Sequence, residues 1–488
     1  MKKILISTVL IVAFASCSLE TEDQASLSPA QALDNVAGVQ SAVLSAYRRL
    51  HEFDMYGQNS MMVGDALADN FEIVNRTGRY EQEVVNAIGT FANRWANAYR
   101  AINDANFVLK YLPLLNINQV PSTATLTSQR VLDQLKGEAL FVRALAYSEL
   151  LRIYSYEPGK EVNGFNLGVV LRSTPTEVVS DADKRTRSTN TECYQFVEND
   201  LVEAVNLLIT PAEQTTSGAW PSSLGAITNP FRANRAAAQA LLARVYLYMG
   251  RYADADTRAT AALALLANPV PVAAASYVTS WSATTHPESI FELEIRPTDW
   301  SGVDGPNNSL ASITTNLASG FQYVAAASPE LIAAHEPGDV RLGVYVTNAS
   351  TLSKPQARKW PGEKGSGVEN IPVIRKAEMY LIQAEARARQ GGNDAGAQTA
   401  INTLRTNRGL TATNLTGAGL IALIMNERRV ELAFEGHRWF DLKRNGMDIT
   451  KPAAAGVNTL PYNDFRMLQQ IPNSQIVLNP NLVQNPGY

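Results

Sequence analysis

The segment Ser128–Tyr154 constrains the fold most. It is dense in Ala, Leu and Tyr at helical spacing, and comparable segments recur along the chain. Ser28-Pro29 is a helix start, a hydroxyl cap followed by proline in the first turn, and Val36, Val39, Val43, Leu44, Tyr47 and Leu50 then mark one apolar face. Trp95, Tyr99, Ile102, Asn106 and Leu109 do the same within Thr90–Tyr111. Asn190–Ile209 and Asn234–Met249 continue the series, and Ala253–Ala267 pairs with the latter across Gly250-Arg251-Tyr252. Ile374–Gln390 and Asp394–Asn407 pair in the same way across Gly391-Gly392. Alanines at helical contacts let backbones approach closely, so the spacing predicts a mainly α chain of successive helical hairpins. The repeats are irregular and fit the roughly 34-residue tetratricopeptide consensus poorly.

Between about Pro211 and Pro372 the texture changes. Gly, Pro, Ser, Thr and Asn become frequent, and Trp220, Trp281, Trp300 and Trp360 all fall there. Ile290–Ile295 alternates as a short strand, with Glu292 and Glu294 expected on its solvated side. A long, loop-rich excursion from a rigid scaffold is where binding function usually sits.

With 488 residues, 45% hydrophobic and 18% charged, the chain can bury a large core. Its net charge of −4 comes without any basic block, which removes the electrostatic basis for binding nucleic acid. Cys17 and Cys193 cannot build a disulfide framework, and neither they nor the four histidines have metal-ligand spacing. No metal or cofactor is expected. A nucleophile elbow, a phosphate loop and a dinucleotide fingerprint are all missing from the sequence.

The first residues carry an address. Lys2 and Lys3 precede the apolar run Ile4 to Phe14, which is too short to span a bilayer and suits a secretory signal. The run ends in Ala15-Ser16-Cys17, which resembles a bacterial lipobox. Residues 1–16 then read as a signal peptide, Cys17 as the lipidated residue, and residues 17–28 as a polar tether.

The sharpest pattern is near the C-terminus. Glu427, Glu431 and Glu435 stand at i, i+4 and i+8 and would repel on a bare helix face, while Arg428, Arg429, Arg438 and Arg444 supply opposite charge nearby. Interleaved with Leu432, Phe434, Trp439 and Phe440, they read as a buried ion-pair lock. A hydrolase using Glu431 and Glu435 is the sharper alternative. Abundant arginine would depress their pKa values, whereas a general acid needs a raised one. His437 lacks the second histidine of a zinc-peptidase helix.

The run Glu427-Arg428-Arg429-x-Glu431-Leu432-Ala433-Phe434-Glu435-Gly436-x-Arg438-x-x-Asp441-Leu442-x-Arg444 resembles the C-terminal motif of the SusD/RagB family, surface nutrient-binding lipoproteins of Bacteroidetes. Ile374-Arg375-x-Ala377-Glu378 is similar to the family's preceding helix, and Gly137-Glu138-Ala139-x-Phe141-x-Arg143-Ala144 to an earlier one. The resemblance implies a SusD-like α-helical fold with four tetratricopeptide-like pairs and a variable, loop-rich ligand region containing short strands. It divides the chain into an N-terminal helical region (29–210), a helix pair with the variable region (211–372) and a C-terminal helical region (373–488). It also implies a non-catalytic partner of a SusC-like, TonB-dependent outer-membrane transporter, capturing an oligosaccharide or, alternatively, a peptide. Glu427, Arg428, Glu431, Glu435, Arg438, Asp441 and Arg444 are its structural network in this chain.

Sugar rings pack apolar faces on aromatic side chains and need short polar partners for their hydroxyls. The candidate ligand residues are therefore Tyr277, Trp281, Trp300 and Tyr323 of the variable region, with Asp69, Asn70, Arg76, Arg79 and Tyr80 of the loop that follows the first helix. Trp281 and Trp300, off any helical period, are expected to be exposed.

Overall fold

The computed structural model describes residues 27–87, 92–216, 218–299, 305–347, 354–362, 365, 367–457 and 459–488. Ser28 caps only a single turn, Pro29–Ala32. Asn35 restarts the chain as α1 (Val36–Leu50), its side chain accepting from the Gly38 amide at 3.0 Å. Then follow α2 (Asn59–Ala66), α3 (Ala92–Tyr111), α4 (Ser128–Tyr154), α5 (Asn190–Leu207), α6 (Arg235–Tyr248) and α7 (Tyr252–Ala264). The C-terminal part supplies α8 (Lys376–Gln390), α9 (Asp394–Thr406), α10 (Gly417–Glu431) and α11 (Arg438–Arg444).

The expected pairs form. α1 packs on α3, α4 on α5, α6 on α7 and α8 on α9, and each pair packs on the next through α3–α4, α5–α6 and α7–α8. The result is a continuous stack of four helical hairpins. Small residues make the approach possible: Ala236, Ala237, Ala240 and Ala243 of α6 and Ala255, Ala259 and Ala262 of α7 are all buried. A second, smaller core lies among α8, α9 and α10 around Leu381, Leu404 and Leu420.

The strands are short and antiparallel. β1 (Phe71–Ile73) pairs with β3 (Ala325–Ala327), β2 (Ser289–Leu293) with β6 (Ile371–Arg375), and β4 (Tyr345–Val346) with β5 (Gln356–Ala357). The β2–β6 register shifts on both sides of Phe291, a bulge that turns Glu292 inward. Glu292 is therefore buried, accepting from the His286 amide at 3.0 Å, while Glu294 lies outside beside Arg296. The expected shared solvated face does not exist.

Two contacts tie the first helices to the last. Gly436 (φ +75°) presses on α2 so closely that a Cβ would sit 1.8 Å from the Ser60 carbonyl oxygen. Lys451, buried, donates its ammonium to the carbonyls of Ala66, Leu67 and Ala68 at 3.0, 2.6 and 3.2 Å, capping the end of α2. No helix among the described residues is long and apolar enough to cross a membrane. Cys17 and the signal segment lie outside the described residues.

Candidate functional site

The loop that leaves α2 is rooted in buried charge. Asp69 takes two hydrogen bonds from Arg438, at 2.7 and 2.9 Å, and Arg429 approaches it at 3.2 Å. Burial alone would raise this carboxyl, but the Arg438 and Arg429 guanidiniums outweigh that and hold it below its ordinary value. Asn70 donates to Asp65 at 2.6 Å and accepts from Arg429 at 3.0 Å. Both residues anchor the loop and are turned away from solvent. Arg438 thus leaves the C-terminal charge cluster to pin the root of this loop.

Beyond the root, β1 is zipped to the variable region through Phe71↔Ala327 and Ile73↔Ala325, and the Val74 amide donates to Val324 O at 2.7 Å. Asn75 continues the attachment with bonds to the Gln322 and Tyr323 carbonyls at 3.0 and 3.1 Å. Arg79 donates to Asn308 Oδ1 at 3.2 Å and lies over the Phe53 ring at 5.6 Å. Tyr80 is buried, its hydroxyl held between Gln58 and Asn59 at 2.8 and 2.9 Å. Tyr323 is buried as well, donating to the Lys354 carbonyl, and the Lys354 ammonium in turn meets Glu72.

What remains accessible is a rim. Asn75 and Arg76 are exposed, Arg76 to 81% of its side chain, while Arg79, Phe53 and Phe321 are half-buried. An amide, guanidinium groups and two half-buried aromatic side chains therefore stand on a base fixed by main-chain pairing. Asp299, the last described residue before 300–304, is held by Arg48 at 3.3 Å and His51 at 3.7 Å. Asn308, shortly after that gap, accepts from Gln58 at 3.0 Å. Trp300 lies outside the described residues, in the segment between these two anchors. A cleft of about 520 Å3, lined by Tyr47, Arg48, His51, Phe231, Arg296 and Asp299, opens beside Asp299.

Tyr277 and Trp281 do not join this rim. They are 0% and 3% exposed, so the expectation of a loop tryptophan open to solvent is corrected for Trp281. Tyr277 lies 4.5 Å under the Arg408 guanidinium, and Trp281 packs against Lys359, Arg375 and Trp360. These rings cover a buried charge network, which needs flat apolar walls around its guanidiniums. Asn75, Phe53 and Phe321 belong to the rim, with the buried Asn308 holding Arg79 from beneath, and the sequence pattern offered no periodicity or motif to single out Phe53, Phe321 or Asn308.

The network joins the variable region to the C-terminal helices. Arg375 reaches Glu288 at 2.8 Å, Glu431 at 3.0 Å and Glu435 at 2.7 Å. Arg408 joins Glu288 and Glu431 at 2.8 and 2.9 Å, and Arg341 bridges Asp339 and Glu427 at 2.8 and 2.7 Å. Lys359 donates to Glu435 and to the Glu431 carbonyl at 2.7 and 2.6 Å. Nearby, Arg444 binds Glu385 and Asp441 at 2.6 and 2.8 Å, and Arg428 binds Asp441 at 3.0 Å. The three glutamates do not share a helix, because α10 ends at Glu431 and Phe434 (φ +63°) and Gly436 reverse the chain. Glu435 points back from that turn.

Burial raises Glu431, but Arg408 and Arg375 overcome it and hold the carboxyl well below its ordinary value. Burial likewise opposes, and Arg428 and Arg444 outweigh it in, the lowered Asp441. A carboxylate so stabilised and sealed is a poor general acid. His437 is buried, and desolvation holds its imidazole well below its ordinary value. Among the described residues no group of three or more His, Cys, Asp or Glu side chains is arranged to hold a metal ion.

Two family models match. The SusD family model covers residues 343–488, and a second, described as starch-binding associating with outer membrane, covers residues 19–247. The chain belongs to the SusD/RagB family. SusD-like protein P2 of Formosa agariphila is 24% identical over 98% of both chains. The crystal structure of a SusD superfamily protein from Bacteroides thetaiotaomicron shares 26% identity at a TM-score of 0.77, covering 93% of this chain and 100% of that one. A laminarin-binding SusD-like protein has the same fold at a TM-score of 0.69 and 21% identity, over 93% of this chain and all of the other.

Proposed function

We propose that this SusD-family chain is a non-catalytic surface lipoprotein that captures an oligosaccharide and delivers it to a SusC-like, TonB-dependent transporter in the outer membrane. The observation that carries the reading is the loop rim: Asn75, Arg76 and Arg79 stand beside Phe53 and Phe321 on a base fixed by the β1–β3 ladder. A pyranose ring sets its C–H face on the face of an aromatic ring while amide and guanidinium groups meet its hydroxyls. Starch-binding and laminarin-binding members of the family support a glycan as the ligand. The lipid on Cys17 holds the molecule at the membrane.

The transporter docks on the helical hairpins. Beside them, Val178 and Val179 of the loop between α4 and α5 and Val477 and Leu478 near the C-terminus expose apolar side chains, and Val179 and Leu478 line a cleft of about 730 Å3 with Trp95 and Tyr99 of α3. Apolar side chains clustered at the surface mark partner sites.

The test is incubation of the purified chain with glucan, mannan and galactan oligosaccharides and with mixed peptides, followed by calorimetry and product analysis. Binding of one glycan class without turnover, weakened at least tenfold in Arg79→Ala, is the expected result. Peptide binding in place of glycan, or cleavage of either, overturns the reading.

A further inference from the structure

A third cleft lies away from the loop rim, beyond the C-terminal end of α4. Residues 156–165, 461–465 and 486–488 meet there around about 380 Å3 lined by Tyr156, Asn163, Phe165, Asn463, Phe465 and Pro486. Its walls are locked. Tyr462 donates to the Lys160 carbonyl at 2.5 Å, Tyr488 to the Leu468 carbonyl at 2.9 Å, and the Phe165 amide to Val162 O at 3.0 Å. Tyr156 meets Tyr462 edge-on at 5.9 Å, and Phe465 meets Tyr488 at 5.1 Å. Gly487 (φ +85°) lays bare backbone against Phe465, where a Cβ would fall 2.4 Å from the ring.

The lining differs in kind from the two larger clefts. Those are crossed by ion pairs, Arg49–Asp104 and Arg172–Asp183 in one, Arg48–Asp299 and Arg296–Glu294 in the other. This cleft has aromatic walls, two amides and no charged side chain. Tyr156 is 4% exposed, yet among the described residues nothing hydrogen-bonds its hydroxyl. The Asn163 and Asn463 amides are exposed and equally unengaged by the described residues. A preformed cavity of this size, apolar with a few polar groups, is what a small ligand needs. A cationic ligand would lose hydration here with no carboxylate in the lining. An acidic one would find only Arg187 and Arg466, which lie over the Phe165 and Phe465 rings at 5.5 and 5.9 Å and are already bonded to main-chain carbonyls and to Asp464. A neutral sugar loses little, since its hydroxyls find amides that both donate and accept.

We infer that this cleft is a second carbohydrate subsite, which takes one uncharged pyranose unit of an oligosaccharide. Phe165 and Phe465 cover the apolar face of the ring, while Asn163, Asn463 and the Tyr156 hydroxyl meet its hydroxyls. The subsite stands on its own residues and does not depend on the loop rim.

The experiment uses the full chain with maltohexaose, laminarihexaose and cellohexaose as neutral probes, hexagalacturonate as an acidic probe and a proline-rich peptide. Hydrogen exchange over residues 159–165 and calorimetry are the readouts. At least one neutral hexaose is expected to slow exchange there, in wild type and in Arg79→Ala alike. Asn163→Gly with Asn463→Ala should weaken that binding at least tenfold at an unchanged melting temperature, since Asn163 (φ +52°) already holds a glycine-like backbone. Failure of all three hexaoses to protect the segment overturns the inference. So does protection by hexagalacturonate or the peptide in their place, or a double variant that binds as wild type does.

Discussion

The charge network under α10 and the loop rim beside β1 use the same alphabet, arginine with aromatic rings, to opposite ends. In the network, Arg341, Arg375 and Arg408 are sealed and each meets two or more carboxylates, with Tyr277 and Trp281 as covers. In the rim, Arg76 is open to water, and Arg79 rests on a half-buried ring and an amide. Burial of both partners makes each network member costly to remove, because the survivor is left charged without water. At the rim, water replaces any lost partner. The residue type says little; the desolvation of its neighbours decides whether it is scaffold or site.

Acid should separate the two regions most strongly. Glu378, opposed by burial but held by Arg244, lies at about 2, so its contribution is full above pH 4.5 and drains as pH falls toward 2. That shift alone corresponds to about 3 kcal/mol, and Glu431, Glu385 and Asp441 move in the same direction. Asp65 runs the other way: burial raises it to about 6, so the folded form takes its proton first and this group's contribution grows as pH falls through that range. Urea unfolding at pH 7, 5 and 3 should show a net loss concentrated below pH 4.5. A flat profile would mean that the network carboxylates are not held low.

Glu431→Ala comes next, because it strands Arg375 and Arg408 together, and should cost ~3–5 kcal/mol in urea unfolding. Glycan affinity per folded molecule should not change. Trp281→Ala should cost about 3 kcal/mol as a core truncation, again without touching affinity. A stable Trp281→Ala that binds more weakly would return this indole to the ligand surface. Arg79→Ala is the smallest change to the fold, below about 0.5 kcal/mol, and the largest to binding, at least tenfold. Unaltered affinity in this variant would move the site away from the rim.

Helices were legible because their cause is local. Apolar spacing, caps such as Thr127 and Thr189, and stops such as Gly250 act within a few residues, and α4 runs from Ser128 to Tyr154 as the pattern requires. Charge balance around Glu427–Arg444 also revealed a buried lock, since so many charges among large apolar side chains need partners. The position of Glu435 was not legible, because helix termination at Glu431 depends on Gly436 meeting α2. Trp281 misled for a related reason. A residue off every helical period can still be core when distant guanidiniums require a cover, and no short window contains Arg375 or Lys359. The loop Asp69–Tyr80 drew attention for its polar residues, but only the long-range β1–β3 pairing decides that Asp69 is root and Arg76 is rim.

Lys451 on the end of α2 and Gly436 against Ser60 also set an order of assembly. Both contacts link positions nearly four hundred residues apart in sequence, and such closures come late because the intervening chain must be gathered first. The helical hairpins, built from neighbours, can form as the chain emerges. Helix α2 gains its cap, and the loop after it gains its Arg438 anchor, only once the C-terminal segment has arrived. A chain cut between Thr406 and Gly436 still contains the residues of all four hairpins but lacks both closures, so the loop after α2 is left without its Arg438 anchor.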